Sequence, residues 1–344
     1  MSYWVKQTDY VPFFDFGMHG EGGFKERESA FHALKAIGAP AVPALCEIME
    51  NKNLKWDRRW RAEETLGEIG PPAKAASGAL IRALNDPTFP TGQRYCIVLS
   101  IAAIGAAGEC ATDLTHFLEK RHAETPLCDS GSSDFDQFQT ISVLGRAGAA
   151  AAAAVPVLVE MLRDYEKAIA NPKHETLPAR PEERKAAEQS RELLRDALVE
   201  ALGKLGAFDP RALPAVMDLR NDPSARVRGR VAEAFIQLGK PDDALTLLDA
   251  LANDPDVRAR RKVIETLGTL SKAQSASSLP RLMKMLGDNA DEVRSLAAEK
   301  LGDMGSAAEP ALDQLKPLAK DQSERVRIYA QQAIGKINRS AKER

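Results

Sequence analysis

Apolar residues recur at helical spacing along the whole chain, in blocks that resemble one another. In the last block, Val326, Ala330, Ala333 and Ile337 stand at i, i+4, i+7 and i+11, which is one face of an amphipathic helix. Every block also has a large apolar residue four positions before its end. These residues are Leu34, Leu66, Ile101, Leu144, Leu202, Phe235, Leu267, Leu301 and Ile334. The pattern predicts nine amphipathic helices that share a continuous core.

The ends of the blocks give the period and the repeated unit. They fall at positions 38, 70, 105, 148, 206, 239, 271, 305 and 338, so most steps are 32 to 35 residues and two are longer. Seven of these positions are Gly and the others are Ser271 and Asn338. Gly readily adopts the positive φ that commonly ends a helix. Because a second amphipathic segment precedes each block, as in 211–221, the unit is predicted to be a helical hairpin that stacks on its neighbours.

Arginine stands eleven positions before the end of eight of the nine blocks. In the last four blocks an Asp precedes that Arg by six residues. The planar fork of Arg suits bidentate pairing with carboxylates, so we interpret the set as a structural ladder that ties successive repeats together. The alternative is a row of phosphate contacts. The predicted ladder comprises Arg27, Arg59, Arg94, Arg195, Arg228, Arg260, Arg294, Arg327, Asp222, Asp254, Asp288 and Asp321.

Two segments carry a family resemblance, NDPSARVRGRVAEAFIQLG (221–239) and NDPDVRARRKVIETLG (253–268). They resemble the HEAT repeat, especially the short bacterial HEAT-like type of the phycobilisome lyases. The resemblance extends over residues 25–338. It implies an all-α, right-handed α-solenoid of about nine HEAT-like helical hairpins, with an Asp/Arg ladder between repeats. It also implies that the second helix of each hairpin lines a concave groove.

The repeat divides the chain into three predicted parts. Residues 1–24 contain seven aromatic residues and form either a cap on the end of the array or an anchor for a partner. Residues 25–338 form the solenoid, with polar loops inserted near 121–136 and 163–189. Residues 339–344 form a charged C-terminal tail.

Two columns of the second helices are expected to face away from the core, at ten and six positions before each block end. The first column places three aromatic residues in successive units, and the second places Glu in four successive units. We predict that these residues bind a partner. The alternatives are that the aromatics pack against the insertions and that the glutamates are simply solvated. The predicted partner-binding residues are Trp60, Tyr95, Phe138, Glu200, Glu233, Glu265 and Glu299.

Charge and motifs limit the function classes. The chain has 47 Lys and Arg against 49 Asp and Glu, a formal net charge of −2, without the basic excess of a dedicated nucleic-acid binder. Its four cysteines are widely spaced, its five histidines form no metal-binding motif, and only His174 is followed by Glu. His116 and His122 with Cys128 and Asp129 make a weak metal candidate. We therefore expect no catalytic residues, no cofactor and no metal.

The predicted function is a non-catalytic scaffold or adaptor of the bacterial cytoplasm that binds another protein. The partner is expected to offer a basic or apolar segment, and membrane, nucleic-acid and small-molecule ligands are not expected. The alternative is a nucleic-acid-binding HEAT-like protein, similar to the DNA glycosylases of that fold. It rests on the arginines outside the ladder, which are Arg226, Arg230, Arg258 and Arg261.

Overall fold

The computed structural model describes residues 30–124, 134–170, 181–270 and 275–343. In these residues all regular secondary structure is helical, which confirms the predicted all-α class. The described residues belong to two compact units, an N-terminal unit of Met1–Ala212 and a C-terminal unit of Leu213–Arg344. The predicted cap or anchor at 1–24 and the ladder residue Arg27 lie outside the described residues.

The helices follow one another as hairpins. The N-terminal unit contains α1 (30–37), α2 (Val42–Glu50), α3 (Trp56–Ile69), α4 (Ser77–Leu84), α5 (Arg94–Ala103), α6 (Ala111–Glu124), α7 (Asp134–Arg146), α8 (Val155–Ala170) and α9 (Pro181–Leu205). The next helix, α10 (Ala212–Asp218), begins at the boundary. The C-terminal unit continues with α11 (Ala225–Gln237), α12 (Pro241–Leu251), α13 (Val257–Thr269), α14 (Ser275–Met285), α15 (Asp291–Asp303), α16 (Leu312–Leu318) and α17 (Glu324–Lys342).

The predicted glycine ends are largely as expected. Positive φ angles occur at Gly38, Gly70, Gly105, Gly148, Gly239 and Gly305. Gly206 is not among them. The predicted helix end at Asn338 is wrong, because α17 runs through it to Lys342. Asn tolerates a helix interior, and the residues that follow it in the sequence RSAK are compatible with a further turn.

The buried column predicted from the blocks forms the core. Eight of its nine residues are at most 3% exposed. Ile334 in α17 is only partly buried and packs against the edge of the core of the C-terminal unit. The core is therefore continuous within each unit, as the recurrence of large apolar residues predicted.

Second helices pack directly on one another. In the N-terminal unit α3, α5, α7 and α9 are successive neighbours, and in the C-terminal unit α11, α13, α15 and α17 are. Small residues permit the approach. A Cβ added at Gly145 would lie 3.0 Å from the Cα of Ala201, and one added at Gly302 would lie 2.8 Å from the Cα of Ala333. Backbone meets backbone at these points, so a side chain at either glycine would push the helices apart.

The insertion near 163–189 is not the polar loop that the sequence predicted. Helix α8 extends through Ala170 and α9 starts at Pro181, so both ends of the insertion are helical. The segment PEERKAAEQ explains this difference. Pro is favoured in the first turn of a helix, acidic residues there complement the helix dipole, and the rest are strong helix formers.

In the C-terminal unit the ladder arginines Arg228, Arg260 and Arg294 each join their own repeat to the next. Arg294 Nη1 donates to the backbone carbonyl of Asp288 at 2.9 Å, six residues earlier. Its Nε and Nη2 donate to the two carboxylate oxygens of Asp321 in the next repeat, at 3.0 and 2.9 Å. These hydrogen bonds lower the pKa of Asp321. Arg260 makes the same bidentate contact with Asp288 at 2.8 and 2.9 Å, and Arg228 donates to Asp254 at 2.8 Å.

The N-terminal unit uses other acids. Arg59 Nη2 donates to Asp86 at 2.6 Å, and its Nε donates to the carbonyl of Met49 at 2.7 Å. Burial acts to raise the pKa of Asp86, but hydrogen bonds from Thr88 and Arg59 outweigh it and lower that pKa to about 2. Asp86 escaped the sequence prediction because it precedes the next arginine, Arg94, by eight residues rather than six.

The guanidinium groups of Arg94, Arg195 and Arg327 differ from one another in their contacts. No described residue accepts a hydrogen bond from Nε of Arg94, although its charge acts to lower the pKa of Asp136. Asp136 instead accepts a hydrogen bond from Nε of Arg121 at 3.0 Å. Burial raises the pKa of Asp136 overall. Arg195 stands 3.7 Å from Glu166. Arg327 at the last repeat donates to the carbonyls of Asp321 and Gln322 at 2.8 and 2.9 Å.

We expect Arg294→Ala to lower the free energy of unfolding by about 1–3 kcal/mol, because the partly buried Asp321 carboxylate loses both of its Arg294 donors. Lys316→Ala is the control, since its ion pair with Asp313 is exposed and contributes little. Urea denaturation of the two variants measures both changes. Equal small effects would show that the Arg294 contact does not stabilise the stack.

Gly302→Ala and Gly335→Ala form a matched pair. The first adds a Cβ 2.8 Å from backbone of the neighbouring helix, whereas the second meets nothing within 4 Å. We expect Gly302→Ala to destabilise the protein by about 1–3 kcal/mol through overpacking. Gly335→Ala should stabilise it by about 0.5–1 kcal/mol, because Ala favours the helix. Thermal unfolding of both variants tests this, and a stabilised Gly302→Ala would contradict the close approach.

Candidate functional site

The three predicted aromatic residues lie at the same register position of successive second helices. Trp60 is on α3, Tyr95 on α5 and Phe138 on α7, and each is half-buried rather than open to solvent. The more exposed side chains are two that the sequence analysis did not select, Trp56 at 44% and Leu99 at 39%. We call these five residues the aromatic surface.

Trp56 and Trp60 are held by their neighbours. Their ring centroids are 6.5 Å apart with planes tilted by 39°. The guanidinium of Arg61 lies over the Trp60 ring at 5.2 Å, and its Nη1 donates to Glu64 at 2.8 Å. Tilted aromatic pairs and cation–π contacts both restrict side-chain motion. The exposed indole of Trp56 is therefore presented from an ordered base.

The helix that carries Trp56 and Trp60 also carries a buried carboxyl group. Glu63, one helical turn after Trp60, is fully buried. Neither of its carboxyl oxygens has a partner in hydrogen-bonding geometry among the described residues. Burial raises the pKa of Glu63 to about 7, although the nearby hydroxyl of Ser100 acts to lower it. Buried carboxylates without donors are costly, so this group is neutral over much of the range below neutral pH.

Polar groups of α5 surround this carboxyl group. Burial raises the pKa of the Cys96 thiol, and the charge of Glu63 contributes to the rise. Contact with Cys96 raises the pKa of the Tyr95 phenol. The indole nitrogen of Trp60 is buried, and no described residue accepts its hydrogen in full hydrogen-bonding geometry. Glu63 thus interacts with the hydroxyl of Ser100, and Trp60 interacts with the thiol of Cys96, both across the contact between α3 and α5.

The predicted glutamate column is largely neutralised by neighbouring cations. Glu233 forms ion pairs with Arg230 at 2.8 Å and with Lys262 at 2.6 Å. In the N-terminal unit, Glu200 receives Lys204 at 2.6 Å. These cations lie on the same or the next second helix, and they reduce the negative potential of the column.

The other two glutamates are less enclosed. Glu265 is exposed and stands 3.9 Å from Arg261, which is also exposed. Glu299 is half-buried. These two remain the better candidates for contact with a basic partner. Arg226 and Arg258 are exposed as well, whereas Arg230 is engaged by Glu233.

The described residues hold neither a cluster of metal ligands nor a membrane-spanning helix. Within them, no three His, Cys, Asp or Glu side chains come together as metal ligands would. His122 Nε2 stands 3.2 Å from Asp164, while Cys128 and Asp129 of the weak metal candidate lie outside the described residues. None of the described helices is both long and apolar enough to cross a membrane.

Glu63→Gln should change how stability depends on pH. Below about pH 4.5, the group's ordinary pKa, Glu63 is protonated whether folded or unfolded, so its ionisation costs nothing. Between about pH 4.5 and 7 only the unfolded chain releases the proton, so the free energy of unfolding falls as pH rises. Above about pH 7 the full cost, about 3 kcal/mol, is present. Gln remains neutral and removes this loss.

Denaturant unfolding at pH 5 and pH 8 measures this effect. We expect the free energy of unfolding of Glu63→Gln to rise relative to that of the wild type from pH 5 to pH 8. The control is Glu68→Gln, at an exposed position on the same helix, whose free energy of unfolding should change with pH as that of the wild type does. A constant difference between wild type and Glu63→Gln would show that Glu63 ionises normally.

Comparisons with known proteins agree with this architecture. A sequence profile described as HEAT repeats matches residues 244–335, where the Arg/Asp ladder is most regular. No curated protein matches the chain significantly. Among solved structures, importin-beta of yeast (Kap95p) is similar with a TM-score of 0.61 at 12% identity, over 98% of this chain and 45% of that one.

A second similar structure is the karyopherin Kap121p bound to the extreme C-terminus of the protein phosphatase Cdc14p. Its TM-score is 0.51 at 14% identity, over 99% of this chain and 38% of that one. The chain therefore spans less than half the length of either karyopherin, and identities this low bear on the fold alone. Residues 244–335 thus match HEAT repeats in sequence, and the repeated helical hairpins of both units have the same kind of architecture.

Proposed function

We propose that the protein is a non-catalytic scaffold that binds another protein through the aromatic surface of its N-terminal unit. The observation that carries the proposal is the exposure of Trp56 and Leu99 on neighbouring second helices, which also carry the half-buried Trp60 and Tyr95. Large exposed side chains grouped in this way are typical of protein-interaction sites. A partner would cover them with apolar side chains of its own.

The side chains of this surface are already held in place before a partner binds, which favours binding. Association costs free energy wherever side chains must be immobilised, and Trp56 already packs against Trp60. Tryptophan is also the residue most enriched among binding hot spots. Trp60, Tyr95 and Phe138 serve in this proposal as the floor on which Trp56 and Leu99 are presented.

The second part of the proposal concerns the partner's charge. Glu265 and Glu299 of the C-terminal unit would meet Lys or Arg side chains of the partner and act mainly on the rate of association. Glu200 and Glu233 contribute less, because Lys204 and Arg230 already pair with them. The proposed location is the cytoplasm, which fits the free thiols of Cys46, Cys96 and Cys110.

The second candidate function is nucleic-acid binding. The exposure of Arg226, Arg258 and Arg261 on second helices of the C-terminal unit favours it. Lys and Arg that contact phosphates release counterions, so binding of this kind weakens steeply with salt. The nearby carboxylates Glu233 and Glu265 count against it.

The test of the first function compares Trp56→Ala/Leu99→Ala with Phe208→Ala, which removes a side chain that is 50% exposed elsewhere in the same unit. Proteins captured by the wild type are identified, and their affinities for each variant are then measured by calorimetry. We expect the double variant to lose about 2–4 kcal/mol of binding, as central hot spots do, with an unchanged circular dichroism spectrum. Phe208→Ala should bind like the wild type.

Two outcomes would reject the scaffold proposal. One is that the double variant and Phe208→Ala bind the captured proteins equally well. The other is that the wild type binds duplex DNA at physiological salt and that Arg258→Ala/Arg261→Ala weakens this binding and flattens its salt dependence. The second outcome would support the nucleic-acid function.

A further inference from the structure

We propose that the segment of the partner that covers Trp56 is acidic, with carboxylates for Lys52 and Lys55 and an apolar residue for the ring of Trp56. The inference rests on the proposed function, because it assigns the chemistry of the partner at that same surface. It goes beyond that function by naming a second contact, the loop of residues 51–55 that leads into α3. We call this loop the lysine loop.

The lysine loop differs in charge from the corresponding loops of the other repeats. Each of the other described loops that lead into a second helix contains an aspartate whose carboxylate accepts the backbone N–H two residues later. These aspartates are Asp86, Asp222, Asp254, Asp288 and Asp321. In the lysine loop the neutral amide oxygen of Asn51 accepts the equivalent hydrogen bond, from the backbone N–H of Asn53 at 3.0 Å. The lysine loop therefore keeps the turn but lacks its negative charge.

Positive charge takes the place of that negative charge. Lys52 and Lys55 are exposed, and the lysine loop contains no Asp or Glu. Nζ of Lys52 stands 3.9 Å from Asp86, but that carboxylate already accepts a hydrogen bond from Nη2 of the buried Arg59 at 2.6 Å. The side chain of Lys52 is 67% exposed. A carboxylate of a partner can therefore reach this cation without displacing the contact between Arg59 and Asp86.

The exposed tryptophan directly follows the lysine loop. Lys55 is the N-cap of α3 and Trp56 is its first residue, so an exposed cation and an exposed ring are adjacent along the chain. Residues 51–61 hold five basic residues and one acid, Asp57, so this end of α3 attracts anions. An apolar ring next to cations fits a segment that combines apolar and acidic side chains. The ring would supply affinity, and the charges would supply orientation and a faster association.

A single-stranded nucleic acid also offers anions and stacking groups, but the exposed side chains favour a protein segment. Proteins that bind single strands stack successive bases on several aromatic side chains along a basic groove. Of the aromatic residues in the aromatic surface, only Trp56 is exposed, and the ring of Trp60 already carries the guanidinium of Arg61 at 5.2 Å. The other exposed member, Leu99, is aliphatic. This chemistry suits apolar side chains better than a row of bases.

The test uses the full chain and random peptides displayed on phage. Peptides are selected on the wild type, and the affinity of a selected peptide is then measured by calorimetry at low and at physiological salt. We expect the selected peptides to be enriched in Asp and Glu around an aromatic or branched apolar residue. Their affinity should fall as salt rises, because contacts between exposed charges are screened.

Three variants locate the contact. Lys52→Gln/Lys55→Gln should weaken binding of the selected peptide by about three- to tenfold and reduce its salt dependence. Asn51→Asp keeps the turn and restores the carboxylate of the other loops, so it should weaken binding by about two- to fivefold. The control, Lys316→Gln/Lys320→Gln, removes two exposed lysines of the C-terminal unit and should leave the affinity unchanged. Circular dichroism checks that every variant is folded.

The inference is overturned if no peptide is selected, if the peptides have no acidic excess, or if Lys52→Gln/Lys55→Gln binds them like the wild type. Three further results would assign the surface to another occupant and overturn it as well. Oligothymidylate that binds more tightly than the peptides would indicate nucleic acid. Self-association of the wild type that is lost in the lysine variant would indicate a second copy. Tighter peptide binding by Asp9→Asn/Asp15→Asn would indicate the chain's own N-terminal segment.

These outcomes are separable from the fate of the proposed function. If the selected peptides are not acidic while Trp56→Ala/Leu99→Ala loses its protein partner, the scaffold proposal stands and the acidic segment is wrong. If acidic peptides depend on Lys52 and Lys55 but no protein depends on Trp56 and Leu99, the lysine loop stands as a docking site for acidic segments and the partner proposal is wrong.

Discussion

A hairpin of two helices cannot cover its own apolar face, and this constraint accounts for most of the architecture described here. Each second helix packs on the next within its unit, so the core exists only as a stack. Close packing of second helices then requires glycine where backbones meet, as at Gly145 and Gly302. Arginine bridges such as Arg294 with Asp321 hold the same neighbours together at the start of the second helix.

The sequence predicts those parts of the fold that repeat. The apolar column, the glycine ends and the arginines of the C-terminal unit recur at a fixed register, so counting along the chain locates them. Exceptions arise where local context overrides the register. Asp86 pairs with Arg59 although no ladder acid was predicted in that repeat, and α9 begins inside the segment expected to be a polar loop.

The candidate site was predictable only in part, for physical reasons. Counting back from the end of each block selected Trp60, Tyr95 and Phe138. It could not show that they are half-buried, because their burial depends on the neighbouring helices. Trp56 and Leu99 lie outside the aromatic column that was counted, and in the sequence Glu63 looks like any glutamate on a charged helix. Its burial comes from the approach of α5, which a single helix cannot reveal. Likewise Glu233 attracts Lys262 from the next repeat, a contact between residues 29 positions apart.

The ladder also bears on how the molecule would respond to force. Its bridges join residues 26 to 28 positions apart, so each closes a short loop between sequential neighbours. Tension applied along the chain of the C-terminal unit would therefore load these bridges one after another rather than all at once. A stack built in this way yields stepwise and recovers quickly, because no bridge waits for a distant part of the chain to return. The same bridges that fix the register would thus let the repeats of this unit open one at a time under tension.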